Sequence, residues 1–404
     1  MAADPRLGGG VVAGGRVSRR TLLAWSSAGV VGVLGGGLLA ACGGDDEAEN
    51  PIAPDDEGSS SGGGSTARVV ELLSTPGPTF TNGPGAVAEE LGFYRDEGIE
   101  LSIEYPGNSI RALQTLVGGT GTIASADSFA LLVAVAEELD FRSVYLGARG
   151  YAFGFAVNGS SPIEEWSEET VRGARIGITD FAGGEVPVLR GALARMGLAE
   201  GEDGLELVAI GAGGPETADA IESGDVDIVA ASIFDFEIFR AAGVDLRVIT
   251  PGYIQSFPGH GYATTPDLLE GNRDALVRLL RAKAKATVFL RANPRAAAEM
   301  AIAAAPASAE GLDVELVAGF LEGAYAAGNA FAFEEGNADF HSLGVQDPEA
   351  FDDFQKFLIE TGSADDDGTT LSAEVDVESI IDNSLVEEIN DFDYAEIEAL
   401  AERS

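Results

Sequence analysis

The stretch Ala88–Leu101, AEELGFYRDEGIEL, carries the pattern from which the fold is read. Its apolar residues recur at helical spacing as far as Tyr94, Gly98 offers a stop, and Ile99 opens a run of strand character. This predicts a helix over Pro84–Tyr94 and a strand over Ile99–Tyr105. Upstream, Arg68–Leu73 reads as a buried strand. The three together form a strand–helix–strand unit, which belongs to a parallel sheet.

The alternation continues through Ser109–Val117, Thr122–Ala126, Ser128–Glu138 and Phe141–Leu146. An aromatic, glycine-containing stretch, Arg149–Val157, then leads through Trp166 to a strand at Arg175–Thr179 and a helix beginning near Gly184. A crossing between lobes is expected there. Strands at Leu205–Ile210, Val226–Ala230 and Leu246–Ile249 complete a second lobe, with a return crossing between Thr250 and Tyr262. From Pro266 onward the signal is helical, including a long run at Asn272–Ala292. About 335 residues are more than one hydrophobic core normally serves, so two lobes are expected in an α/β chain. Lobe I takes 67–152 and 256–404, and lobe II takes 153–255. The helix, glycine, strand order of Ala112–Ala126 recurs at Thr217–Ala230, an internal echo of related lobes.

The N-terminal 41 residues read as a targeting segment. Arg19 and Arg20 resemble a twin-arginine export signal, and Leu39, Ala40, Ala41, Cys42 resemble a lipobox, which would leave Cys42 as the lipidated first residue. As the lone cysteine of the chain, it excludes an intramolecular disulfide or a cysteine-based metal cluster. Residues 42–66 are acidic and rich in Ser and Gly, with too little apolar surface to fold, and read as a flexible tether.

The formal charge is −43, with 24 basic against 67 acidic side chains. That balance excludes nucleic acid as a partner and describes a surface that stays hydrated in salty surroundings.

Several segments resemble the thiamine-pyrimidine-synthase-like branch of the periplasmic binding proteins, which includes binders of thiamine precursors, sulfonates, nitrate and taurine. They are AEELGFYRDEGIEL itself, ALQTLVGGTGTIASAD at Ala112–Asp127, IEEWSEETVRGARIGI at Ile163–Ile178, AIESGDVDIVAASI at Ala220–Ile233 and FQKFLIETG at Phe354–Gly362. The resemblance implies a two-lobed type II binding-protein fold, each lobe a mainly parallel sheet flanked by helices, with a helical C-terminal region. It further implies a monomer that captures a small solute by lobe closure and delivers it to an ABC permease and its ATPase.

Ligands of open α/β sheets gather beyond the carboxyl ends of the strands. That rule selects Thr79, Phe80, Thr81 and Asn82, with Asn108, then Ser125, Asp127 and Ser128 in the first lobe. In the second lobe it selects Phe181, Gly183, Gly184 and Glu185, then Ser232, Phe234 and Asp235. Hydroxyls, amides and backbone N–H groups supply directional bonds, and the phenylalanines supply flat apolar surface. Capping, tight turns and core packing are the competing roles for these residues. The loops contain no Lys or Arg, although Arg111 follows closely after Asn108 and Arg149 lies at the expected crossing, and Asp127 and Glu185 are acceptors when ionised. The set favours an amino-substituted pyrimidine or similar heterocycle, or a cationic solute bearing an ammonium group, with a sulfonate, nitrate or taurine as the alternative.

No enzyme is expected. The related pyrimidine-forming enzymes carry a cysteine-rich iron motif that is lacking here, His260 and His341 are the two histidines, and the G-x-S-x-G match at Gly58–Gly62 falls in the tether. His260 sits in a glycine-rich stretch that suits a turn or a ligand contact. Neither a cofactor nor a metal is expected.

Overall fold

The computed structural model describes residues 66–404 apart from 182–184, 212–214, 328, 338 and 363–370. The export segment, Cys42, the tether up to residue 65, and Gly183 and Gly184 lie outside the described residues.

Ten strands run in chain order: β1 Ala67–Leu72, β2 Ile99–Glu104, β3 Ile123–Asp127, β4 Arg142–Ala148, β5 Phe153–Asn158, β6 Arg175–Ile178, β7 Glu206–Ala209, β8 Ile228–Ser232, β9 Leu246–Val248 and β10 His260–Thr264. They form two five-stranded sheets, ordered β2-β1-β3-β10-β4 and β7-β6-β8-β5-β9. In each sheet the strand that follows a crossing, β10 or β5, runs antiparallel to its neighbours. β1 pairs in parallel with β2 and β3, and β6 with β7 and β8. The sheets are therefore topological copies. The internal echo falls on equivalent positions, since the helices Ser109–Val117 and Pro215–Glu222 each precede the third strand of their sheet, β3 and β8.

The helix expected over Pro84–Tyr94 is two helices, Gly83–Glu90 and Phe93–Asp96. Gly92 separates them at φ 75°, a left-handed conformation that a side chain would resist, and the turn points Phe93 and Tyr94 into the core. Gly98, at φ 67°, then redirects the chain into β2. β5 and β10 were not anticipated as strands. Their sequences, FGFAVN and HGYAT, lie in the expected crossings, and only pairing to a sheet on both sides makes them regular.

The helix Arg273–Ala292 buries Leu276, Leu279, Leu280 and Phe289 with Val69, Tyr145 and Tyr262 of the first sheet. Each such side chain contributes about 1.5–3 kcal/mol relative to exposure. The helix Pro348–Thr361 packs instead on Val186–Arg195, beside the second sheet. It carries Phe354 and Phe357 to the crossings: Phe257 lies 4.7 Å from Phe354 and 5.1 Å from Phe357, Tyr151 lies 5.4 Å from Phe354, and Tyr253 lies 5.9 Å from Phe357. Aromatic packing thus joins both crossing segments. Trp166 stacks on Phe155 of β5 at 4.2 Å. Among the described residues no helix is long and apolar enough to cross a membrane.

Candidate functional site

β1, β3, β6 and β8 are interior strands, and the segments beyond their carboxyl ends hold the described residues selected from sequence except Asn108, which follows the edge strand β2. Two of those loops, one from each sheet, meet. The Phe80 ring lies 5.1 Å from Phe234, and both approach Phe320 of the helix Val314–Leu321, at 5.9 and 5.0 Å. Phe80 is buried, so its ring is part of the contact rather than an open surface.

Around these rings the polar residues divide by what holds them. Thr79 and Thr81 pair through their hydroxyls at 2.9 Å, and the Thr81 carbonyl accepts from the Tyr325 hydroxyl at 2.7 Å. Asn82 stands before the helix Gly83–Glu90 without a side-chain cap bond. The Asn108 side chain caps Ser109–Val117 by accepting from Arg111 N at 2.8 Å. Ser125 is buried and accepts from Ser74 N at 2.9 Å, and the Ser128 hydroxyl donates to the Pro258 carbonyl in the second crossing.

In the second sheet's loops, side chains bind mainly to their own loop. The buried Glu185 carboxylate accepts from the Thr179 N–H at 2.7 Å and the Thr179 hydroxyl at 2.6 Å, just beyond the end of β6. Ser232 and Asp235 form a reciprocal capping box at the start of the helix Ile233–Ala241. Phe181 is left 53 % exposed.

Asp127 occupies the most connected position. One carboxylate oxygen caps Ser128–Ala136 by accepting from Ala130 N at 2.9 Å, and its own N–H donates to the Ser109 hydroxyl. His260 is its register partner across the β3–β10 pair. Burial pushes the His260 imidazole below the usual histidine value; the Asp127 charge opposes that shift and the Lys283 ammonium adds to it. Burial, with the Asp127 carboxylate, raises the Tyr151 hydroxyl well above the usual range. Asp127, Tyr151 and His260 thus gather residues from β3 and both crossings.

His260 and Tyr262 lead inward to a polar group inside the first lobe's core. Lys283 Nζ lies 2.9 Å from Glu71 Oε1, with the two side chains 2 % and 0 % exposed. Burial disfavours the ammonium, but the Glu71 charge, the Tyr262 and Tyr94 hydroxyls and the hydrogen bond to Glu71 together outweigh it and hold Lys283 above the usual lysine value. The Lys283 nitrogen stands 4.9 Å from the Tyr262 ring and 5.8 Å from the Tyr94 ring. Burial raises the Tyr94 hydroxyl to about 12, against the lowering effect of Lys283. Tyr151, Glu71 and Lys283 are not among the residues singled out from sequence, where His260 figures only as a turn or ligand contact outside the strand-end loops. The rule of strand carboxyl ends misses them because they lie at crossings or inside an element. The rarity of histidine and lysine in this chain was the available signal.

Residues 81–297 match the family described as NMT1/THI5-like. The riboflavin-binding protein RibY of Chloroflexus aurantiacus is 23% identical over 323 residues, covering 80% of this chain and 87% of that protein. The periplasmic sulfonate-binding protein SsuA of Methylobacillus flagellatus superposes with a TM-score of 0.53 at 14% identity, over 80% of this chain and 93% of that one. The nitrate-binding protein NrtA of Synechocystis gives 0.50 at 16% identity, over 80% and 88%. The family match spans more than half of the sequence, and the fold agrees in its two sheets and flanking helices: this chain belongs to the NMT1/THI5-like family and has the fold of the periplasmic solute-binding proteins.

Proposed function

We propose that the protein is the exported, lipid-anchored solute-binding component of an ABC importer, which closes two lobes on a planar nitrogen heterocycle and presents it to a permease and its ATPase. The observation that carries this reading is the meeting of loops from the two sheets at Phe80 and Phe234 beside Phe320. The lobes of this reading are 67–152 with 256–404 and 153–255, except that the helix Pro348–Thr361 packs on the second, and the aromatic cluster of Tyr151, Phe257 and Phe354 lies at the crossings. Two crossings allow hinge closure, and a solute touching both lobes favours the closed state by its differential affinity. The protein acts by binding, with no catalytic step.

The class of solute follows from the site's chemistry. Asp127 has one oxygen engaged in a cap and a second available to accept from a ring amino group or N–H. The predicted loops offer the exposed Phe181 ring and no cationic side chain, which suits an aminopyrimidine of the thiamine-precursor type or a flavin, the latter being the class named for the Chloroflexus relative. Cys42 would anchor the chain by lipid after export.

Titration calorimetry and thermal melting against hydroxymethylpyrimidine, thiamine, riboflavin, an alkanesulfonate and nitrate test the proposal. Saturable binding and a raised melting temperature with a heterocycle support it. Response to the anions alone replaces the heterocycle with an anionic solute, and a folded protein that responds to none refutes the binder.

A further inference from the structure

The two crossings between the sheets touch as bare backbone. A Cβ on Gly259 would collide with the carbonyl oxygens of Gly150 and Ala148, and Gly150 itself has φ 93°. On either side of this contact each crossing is fastened to a different sheet. In the first crossing, Arg149 Nη2 donates to the Val345 carbonyl at 3.3 Å, next to the bridge of Gly344 with Leu146 of β4. Past Gly150, the Tyr151 ring joins the aromatic cluster, and the Ala152 carbonyl accepts from Ile233 N at 2.9 Å, just after β8. In the second crossing, the Thr250 hydroxyl accepts from Phe155 N of β5 at 2.7 Å, and Tyr253 and Phe257 pack on Phe354 and Phe357. One residue later the partners belong to the first sheet. The Pro258 carbonyl accepts from the Ser128 hydroxyl, and the Gly259 carbonyl from Ser128 N at 3.0 Å, just after β3.

The helix Pro348–Thr361 makes a third passage of the same kind. Before it, Gln346 is held at β4, where its Nε2 donates to the Ser143 carbonyl at 2.8 Å and its N–H to Asn383 Oδ1 at 2.9 Å. The helix itself packs on Val186–Arg195. There the Arg195 guanidinium lies 4.7 Å from the Tyr253 ring, 5.7 Å from the Phe357 ring and 3.8 Å from Glu360. Asp347 alone separates Gln346 from the first residue of the helix.

We propose that the two lobes turn about one pivot, the backbone contact of Gly150 with Gly259, and that the helix Pro348–Thr361 travels with the second lobe by bending at Asp347. A hinge forms at the few residues that absorb a change of φ and ψ, and these lie where fastening to one sheet gives way to fastening to the other. The aromatic cluster is close-packed and resists deformation, which keeps Tyr253, Phe257 and the helix together as one body. Ser128 acts as a positioning residue: its buried hydroxyl is engaged by Pro258 and fixes the first-lobe side of the pivot. Asp127, the residue before it, sits beside the axis. Points near an axis move least, so Asp127 holds its place in open and closed states while the loops farther out carry the motion.

The inference rests on the lobe closure proposed above, and it is tested without solute. Glu137→Cys, Glu202→Cys and Asp353→Cys, at exposed positions on the first lobe, the second lobe and the helix, are combined in pairs in the full chain carrying Cys42→Ser and spin-labelled. Pulsed electron spin resonance then reads the three separations. Gly259→Ala wedges the crossings apart and should shift the 137–202 and 137–353 separations together, leaving 202–353 unchanged. Ser128→Ala removes one anchoring bond without adding bulk and should broaden the same two distributions. It carries the test alone if Gly259→Ala does not fold by circular dichroism. Separations unchanged in the folded variants, or a shift of 202–353 with 137–353 constant, overturn the pivot whatever the solute assays give. A protein that passes and binds no heterocycle keeps the pivot and loses the solute reading.

Discussion

Lys283 and Glu71 face each other at 2.9 Å in the core of the first lobe, the one on a long helix after the second crossing and the other on the first strand. Their contact ties segments more than 200 residues apart. Removing one partner leaves the other charge buried and uncompensated. Lys283→Met or Glu71→Leu alone should lower the unfolding free energy by about 3–5 kcal/mol, whereas the double variant should fall within about 1 kcal/mol of the parent or exceed it. Urea denaturation measures this directly, and equal losses in all three variants would contradict it.

Asp127 has two separable roles, as a helix cap and as a candidate acceptor. Asp127→Ala should cost about 1 kcal/mol of stability through the lost cap, while Asp127→Asn, whose amide oxygen can still accept from Ala130 N, should cost a few tenths. Both should weaken heterocycle binding about tenfold, the scale of a charge-assisted hydrogen bond. Full affinity in Asp127→Asn would remove the carboxylate charge from the site.

His260 makes stability depend on pH in a definite direction. Its folded value is depressed by burial, despite Asp127 and with the help of Lys283. As pH falls below about 6.5, the unfolded chain takes up a proton that the folded chain resists, and stability declines by up to about 1.4 kcal/mol per pH unit. The melting temperature should therefore drop between pH 7.5 and 5.5 by more in the parent protein than in His260→Gln. Parallel profiles would show that His260 is not the group responsible.

Gly344 and Gly362 both have positive φ, at 91° and 62°, but their surroundings differ. A Cβ at Gly344 would collide with the buried Tyr145 ring, and one at Gly362 meets nothing within 4 Å. Gly362→Ala should cost about 1 kcal/mol and Gly344→Ala about 2–3 kcal/mol more, because the backbone penalty is common to both and the clash is not. Thermal melting of the two variants tests that difference.

By itself the sequence determined the α/β class and the positions of the strands that repeat in each sheet, because period-2 and period-3.6 patterns and glycine stops act locally. It also located the four loops beyond the carboxyl ends of β1, β3, β6 and β8. Burial and pairing decided the rest. β5 and β10 are strands because each inserts antiparallel between two others, a long-range arrangement their glycines and aromatics conceal. Gly92 splits a helix because its turn carries Tyr94 into the core. Ser232, Asp235 and Glu185 have the composition of ligand contacts, yet their polar atoms bond within their own loops, since a nearby backbone N–H or hydroxyl satisfies them. Lys283 and Glu71, ordinary surface residue types, are interior only because the chain returns after its second crossing to lay a helix over the first sheet. No local pattern encodes a contact across that distance.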